Sequence, residues 1–295
     1  MNVYEIVTKK MIEKLEAGVA PWHMPWAAGV GQPANLISGK SYRGINPMLL
    51  GCDFTSKYWL TFNQVKQLGG HIRAGEKSSM VAFFKMIDDK ERAEAADDEK
   101  TSKCPFILRY YNVFNAQQVE GLKHDRLDKE KVDIEQIKDF NPIENCEKIW
   151  SGYNNPPTLQ HYQQRAFYRE SQDLINMPQQ KSFYSEAEYY CTLFHESIHS
   201  TGHESRVHRK NVGHSHFGSK EYSKEELIAE MGAAMLCAHA GIDTEKLCDN
   251  SAAYLESWAS VLREKKNFRC VVDAASAAQK AVDYILGNKG EEVGE

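Results

Sequence analysis

The stretch from Ser185 to Gly202, SEAEYYCTLFHESIHSTG, constrains this chain more than any other. In a helix, His195 and His199 stand at i and i+4, one turn apart on one face, so both imidazoles can reach a single metal ion. Glu196 then lies close enough to act on a water held by that ion, which is the HExxH arrangement of zinc metallopeptidases. The flanks favour the helix: Ser185 followed by Glu188 reads as a capping box, and Gly202 is a natural stop. Leu193, Phe194 and Ile198 supply apolar positions that turn the remaining face into a core, and Tyr189, Tyr190 and Cys191 suit a buried segment.

A catalytic zinc site normally holds three protein ligands and keeps one position for water. The metzincin continuation HExxHxxGxxH fails here, because Gly202 fits but Ser205 stands where the third histidine belongs. In a continuous helix His203 would lie about 12 Å along the axis from His195. That is too far to share an ion bound at about 2 Å, unless the chain reverses at Gly202. His208, His214 and His216 fall in a polar loop. The next helical stretch, Ser223 to Gly241, places Glu226 and Glu230 at i and i+4 beside Ala233 and Ala234, which are small enough for close packing. In gluzincin-like sites the first acid of such a pair binds the metal and the second supports a ligand histidine, so Glu226 is assigned to the metal and Glu230 to support. Ser223 and Glu226 also spell a capping box, which would occupy Glu226 and leave Glu230 or Glu225 as the ligand. Zn2+ is the expected cofactor, with other divalent ions as alternatives.

The rest of the chain divides around this motif. Its 295 residues allow two cores, and a formal charge of -5 does not by itself advertise nucleic-acid binding. Residues 1–18 read as an amphipathic helix whose charges exclude a signal peptide, and no later run is apolar enough to cross a membrane. Seven scattered cysteines without a CxxC pair predict a reduced, cytoplasmic setting and no structural cysteine–zinc site. Residues 1–126 are expected to form a small sheet-and-helix domain. Its elements are a strand near Trp59, a helix from Thr61 to Leu68, and two paired strands, Met80 to Ile87 and Phe106 to Asn115. The polar run 88–103 between those strands reads as an exposed insertion.

With that run set aside, Lys and Arg outnumber Asp and Glu across residues 1–126. Aromatic and basic residues interleave there in the composition of a single-strand binding surface, where rings stack on bases and cations follow phosphates. The candidates are Trp22, Trp26, Tyr42, Arg43, Asn46, Trp59, Arg73 and Lys77, with Tyr110 and Tyr111 on the second long strand. The same composition also describes a solvated basic face over buried aromatics. The charged segment 127–149 is expected to link this domain to a mainly helical one at 150–295. In the second domain, Asp173 to Met177 is the expected edge strand on which a peptide could add. Two amphipathic helices between Asn250 and Gly287 complete the core.

Taken together, PWHMPW, YRGIN, YWLTFNQVKQLGGHIRAGEK, YYNVFNAQQVEGL, FHESIHSTGHESR, FGSKEYSKEELIAEMGAAML and YLESWASVL resemble, in order, the ArdC-type antirestriction proteins of plasmids and phages. The resemblance implies an α+β chain that joins an N-terminal single-stranded-DNA-binding domain to a C-terminal zincin-like metallopeptidase domain. It implies a protein that shields incoming DNA from host restriction, with single-stranded DNA as partner, a peptide as candidate substrate and no membrane. Glu196 would be the general base, and Tyr222 or His203 would assist the oxyanion. Two alternatives stay open: a DNA-coating protein whose zincin domain is structural, and a peptidase toxin acting on one host protein.

Overall fold

The computed structural model describes residues 2–22, 32–50, 54–86, 106–136, 142–209, 220–242, 252–264 and 268–288. Trp26, His214, His216 and the insertion 88–103 lie outside these residues.

Asn2 and Glu5 form a reciprocal capping box that starts helix α1 (Val3–Glu16), whose buried face carries Val7, Met11 and Leu15. Strand β1 (Ala34–Asn35), helix α2 (Asn46–Leu50), strand β2 (Tyr58–Leu60) and helix α3 (Phe62–Gln67) follow. Thr61 and Gln64 cap α3 by the same reciprocal device. Strand β3 (His71–Ile72), the long strands β4 (Ser79–Met86) and β5 (Phe106–Asn115), and strand β6 (Val119–Glu120) complete this half. One sheet has the order β1-β2-β5-β4, with β2, β5 and β4 antiparallel in turn and β1 parallel to β2; β3 pairs separately with β6.

The stretch read from its charge as a linker is helical, as α4 (Asp125–Gln136) and α5 (Pro142–Gly152), and Cys146 and Ile149 of α5 are core residues. Their two apolar side chains are easily overlooked among so many charges. A three-stranded sheet follows, made of β7 (Thr158–Gln160), β8 (Phe167–Arg169) and β9 (Leu174–Asn176) in the order β7-β9-β8. The strand expected at a sheet edge, Asp173 to Met177, is therefore the central one, paired on both sides. Its Ile175 and Met177 are fully buried, and the edges are β7 and β8.

Among the described residues, the helices α6 (Glu186–Ser200), α7 (Lys220–Ala240), α8 (Ala252–Arg263) and α9 (Cys270–Leu286) follow. Ser185 caps α6 by accepting the Glu188 N–H, while Glu188 reaches back to the Tyr184 N–H rather than to Ser185. Cys191 faces Cys237 and His199 faces Glu225, so α6 and α7 pack antiparallel. At Gly232 of α7 the two helices come close. A Cβ there would lie 2.6 Å from Ile198 Cδ1, so it is Gly232, more than Ala233 or Ala234, that lets the helices approach.

One core cluster runs through both halves. It joins Val7, Met11 and Leu15 of α1 to Leu255, Trp258 and Leu262 of α8 and to Val271, Ala275 and Val282 of α9. Trp22 packs edge-on against Trp258, with ring centroids 5.4 Å apart. The Tyr42–Asn46 turn docks on α9: Arg43 pairs with Asp283, and the Gly44 N–H donates to Gln279 Oε1 at 3.1 Å.

Gly232→Ala tests the close approach. Overpacking costs about 1–3 kcal/mol, against a helix-propensity gain of about 1 kcal/mol. Because Ile198 is fully buried, the clash is expected to win and lower the denaturant midpoint. Ile198→Val removes Cδ1 but leaves Cγ1, which a Cβ at position 232 would meet at 2.7 Å, so it should restore only a small part of the loss in the double variant.

Candidate metal centre

The i, i+4 spacing on α6 brings His195 Nε2 and His199 Nε2 to 3.2 Å. From α7, Glu226 presents Oε2 at 3.5 Å from His195 Nε2 and Oε1 at 3.6 Å from His199 Nε2. Donors bound tetrahedrally at about 2.0–2.1 Å stand about 3.3 Å apart, so these separations fit one small divalent cation. Among the described residues, His195, His199 and Glu226 are the one group of three metal-competent side chains whose donor atoms all lie within 4.8 Å of one another. The rival use of Glu226 in a capping box does not arise, since α7 already runs from Lys220 and Ser223 lies inside it. Glu196 is on the same helix and buried.

The second nitrogen of His199 has its own partner. Nδ1 lies 3.3 Å from Glu225 Oε1, and Glu225 is gripped by Arg209, whose Nη2 donates to Oε1 at 2.6 Å and Nε to Oε2 at 3.2 Å. Arg209 is itself fixed by the Ile198 carbonyl at 2.8 Å and by Thr201 Oγ1. Burial disfavours ionised Glu225, but hydrogen bonds from His199 and Arg209 outweigh it and hold the carboxyl below its usual range. The carboxylate against His199 Nδ1 is thus Glu225 rather than Glu230, whose charge contributes to raising the His195 pKa. Two adjacent glutamates with different tasks were not separable from spacing, and Arg209 gave no signal in the sequence. Burial lowers the His195 pKa, but the hydrogen bond to Glu226 and the charges of Glu230 and Glu196 prevail and push it up to about 9.

His203 is not in this cluster; the chain does turn after Ser200, but its Nδ1 bonds Ser205 Oγ at 2.8 Å. Nearby, Arg206 ties the end of α6 to the small sheet. It donates to the Ser200 carbonyl at 2.8 Å and pairs with Asp173 just ahead of β9.

The candidate DNA residues scatter. Trp22 and Trp59 are fully or almost fully buried and Tyr42 nearly so, and a ring inside a core cannot stack on a base. Asn46 spends its amide on both backbone groups of Ala82, at 2.7 and 2.8 Å, and Arg43 is the strut to Asp283. Arg73 and Lys77 stand on an exposed turn, with Arg73 paired to Glu76 at 2.7 Å. The β4–β5 hairpin instead presents an exposed aromatic and basic face. Phe83 pairs across the strands with Arg109, Lys85 with Ile107, and the Phe83 and Tyr111 rings lie 5.5 Å apart. Phe84 and Tyr110 on the opposite face are exposed as well, so the end of the hairpin projects both faces into solvent.

Residues 1–114 match the family model for the N-terminal domain of the anti-restriction factor ArdC, and residues 152–277 match a zincin-like metallopeptidase model. Two crystal structures of the antirestriction protein ArdC from plasmid R388 superpose along nearly the whole chain at 34% identity. The metal-free form has a TM-score of 0.71 over 98% of each chain, and the Mn(II)-bound form 0.72 over 99% of this chain and 100% of that one. This chain belongs to the ArdC antirestriction family. An uncharacterized Sinorhizobium fredii protein is 31% identical over 98% of this ArdC-family chain and 93% of its own length. A DNA primase TraC of Escherichia coli is 33% identical over 99% of this chain, which spans only 20% of the primase. The ArdC relationship fixes the architecture as an α+β chain with an N-terminal ArdC domain and a zincin-like domain. Among the described residues no helix is long and apolar enough to cross a membrane.

Two measurements test the centre in this ArdC-family chain. Glu225→Gln should weaken divalent-metal affinity about 10- to 100-fold, as loss of such support does elsewhere, with little change in helical circular dichroism. Since His195 is protonated below about 9 in the metal-free chain, metal uptake at neutral pH should release a proton and affinity should rise with pH. Calorimetric titration in buffers of different ionisation enthalpy reads that release directly.

Proposed function

We propose that this chain is a single-stranded-DNA-binding antirestriction protein that also hydrolyses peptide bonds at a divalent-metal centre, so that incoming DNA escapes restriction. The observation that carries the hydrolytic part is the convergence of His195, His199 and Glu226 beside buried Glu196. His195, His199 and Glu226 would hold the ion. Two imidazoles and a carboxylate are a zinc donor set, and Mn(II), bound by the R388 protein, is the alternative occupant. When bound, such a cation polarises a carbonyl and lowers the pKa of a coordinated water to about 7. Glu196 takes the proton of the attacking water and delivers it to the departing amine nitrogen. Glu225 and Arg209 keep the His199 ring oriented with Nε2 toward the centre, so no reorganisation is needed on binding.

The DNA-binding part rests on the hairpin face of Phe83, Lys85, Arg109 and Tyr111, together with Arg73 and Lys77. Rings spaced along two strands can stack successive bases while the cations meet phosphates. The structural reading of the zincin domain is favoured by one observation, the core it shares with α1.

Glu196→Gln decides between the two readings: it should retain metal and fold yet abolish peptide hydrolysis, and loss of DNA protection in the same variant would tie protection to hydrolysis. Protection that persists would assign the zincin domain a structural role. Phe83→Ala and Tyr111→Ala should each weaken binding to an oligothymidylate by about 1–3 kcal/mol, measured by fluorescence anisotropy, and binding should fall steeply with salt. Binding unaltered in both variants would move the DNA site off the hairpin.

A further inference from the structure

Among the described residues Cys146, Cys191, Cys237 and Cys270 are in no disulfide. Two of them meet across the helix pair that carries the metal donors, with Cys191 Sγ of α6 only 3.0 Å from Cys237 Sγ of α7. Neither local spacing nor a CxxC pattern marks this pair, because 46 residues separate its members. Cys191 lies one helical turn before His195, and Cys237 lies on the helix that carries Glu226. Exposure is unequal, with Cys191 partly accessible and Cys237 buried at 1%.

We infer that Cys191 and Cys237 form an oxidation site at which a peroxide joins them in a disulfide, stapling the helix of His195 and His199 to the helix of Glu226. The sulfur of Cys191, the accessible member, attacks one peroxide oxygen; the O–O bond breaks, Cys191 becomes a sulfenic acid and the first water leaves. Cys237 sulfur then attacks the sulfenic sulfur; the S–O bond breaks, the S–S bond forms and the second water leaves. Two thiols lose two electrons and two protons to one peroxide, which becomes two waters. Closing the gap from 3.0 Å to a bonded distance of about 2.0 Å asks for a movement of about an ångström between helices already in contact. The bond would resist separation of α6 from α7, and with it the opening through which a bound ion escapes. This inference concerns the helix pair and does not depend on whether the centre hydrolyses anything.

The test uses the full chain, reduced and then treated with hydrogen peroxide under native conditions. Trypsin, cutting after Lys181, Arg206, Lys224 and Lys246, places the two cysteines on separate peptides. The expected result is a Cys191–Cys237 cross-linked peptide, absent after dithiothreitol. Cys237→Ser should instead accumulate a dimedone-reactive sulfenic acid at Cys191. When the chain is loaded with Mn(II), the oxidised form should lose the ion to a chelator several-fold more slowly than the reduced form. Cys191 linked to Cys146, or both thiols still open to maleimide after peroxide, would overturn the assignment. Equal rates of metal loss from the oxidised and reduced forms would overturn the staple.

Discussion

The antiparallel contact of α6 with α7 is the interaction on which the rest depends. Neither helix alone assembles the donor cluster: α6 brings two imidazoles on one face, and α7 brings the carboxylate. Their meeting needs a close approach, and Gly232 provides it by leaving room for buried Ile198. The polar residues then follow in layers, with Glu226 toward the imidazole Nε2 atoms and Glu225 toward Nδ1 of His199. Arg209 closes the network onto the end of α6. A carboxylate and a guanidinium can be buried here because each satisfies the other.

The two halves are bound to each other more tightly than a pair of beads on a string. Helix α1 completes the core of α8 and α9, Trp22 packs on Trp258, and the Tyr42–Asn46 turn is held by Asp283 and Gln279. Two residues that composition offers to DNA, Trp22 and Arg43, are thereby among those that join the halves. The aromatic and basic residues that do reach solvent are Phe83, Lys85, Arg109 and Tyr111 on the β4–β5 hairpin, with Arg73 and Lys77 on their own exposed turn.

What the sequence made legible follows from the range of the interactions involved. Helix α6, its Ser185 cap and the His195–His199 pair are local, and α3, β4 and β5 are set by period and capping, so they appear where the pattern places them. Length and spacing removed Ser205 and a straight-helix His203 as third ligand, but left Glu226 to be weighed against Glu225 and Glu230. Burial could not be read this way: an aromatic residue among lysines looks the same in the sequence whether it faces solvent, like Tyr111, or a neighbouring helix, like Trp22. Strand order is also non-local, and Leu174–Asn176 turned out central because β7 and β8 flank it from both sides. The Glu225–Arg209 support joins residues 16 apart, across a stretch whose pattern says nothing about pairing.

Glu226, and not Glu230 a turn later, is the carboxylate placed to complete the metal centre. Titrating Mn(II) into the full chain and into Glu226→Gln and Glu230→Gln tests it most directly. One ion per wild-type chain, loss of that site in Glu226→Gln and its retention in Glu230→Gln is the predicted result. Wild-type affinity in Glu226→Gln, or loss of the site only in Glu230→Gln, would contradict it.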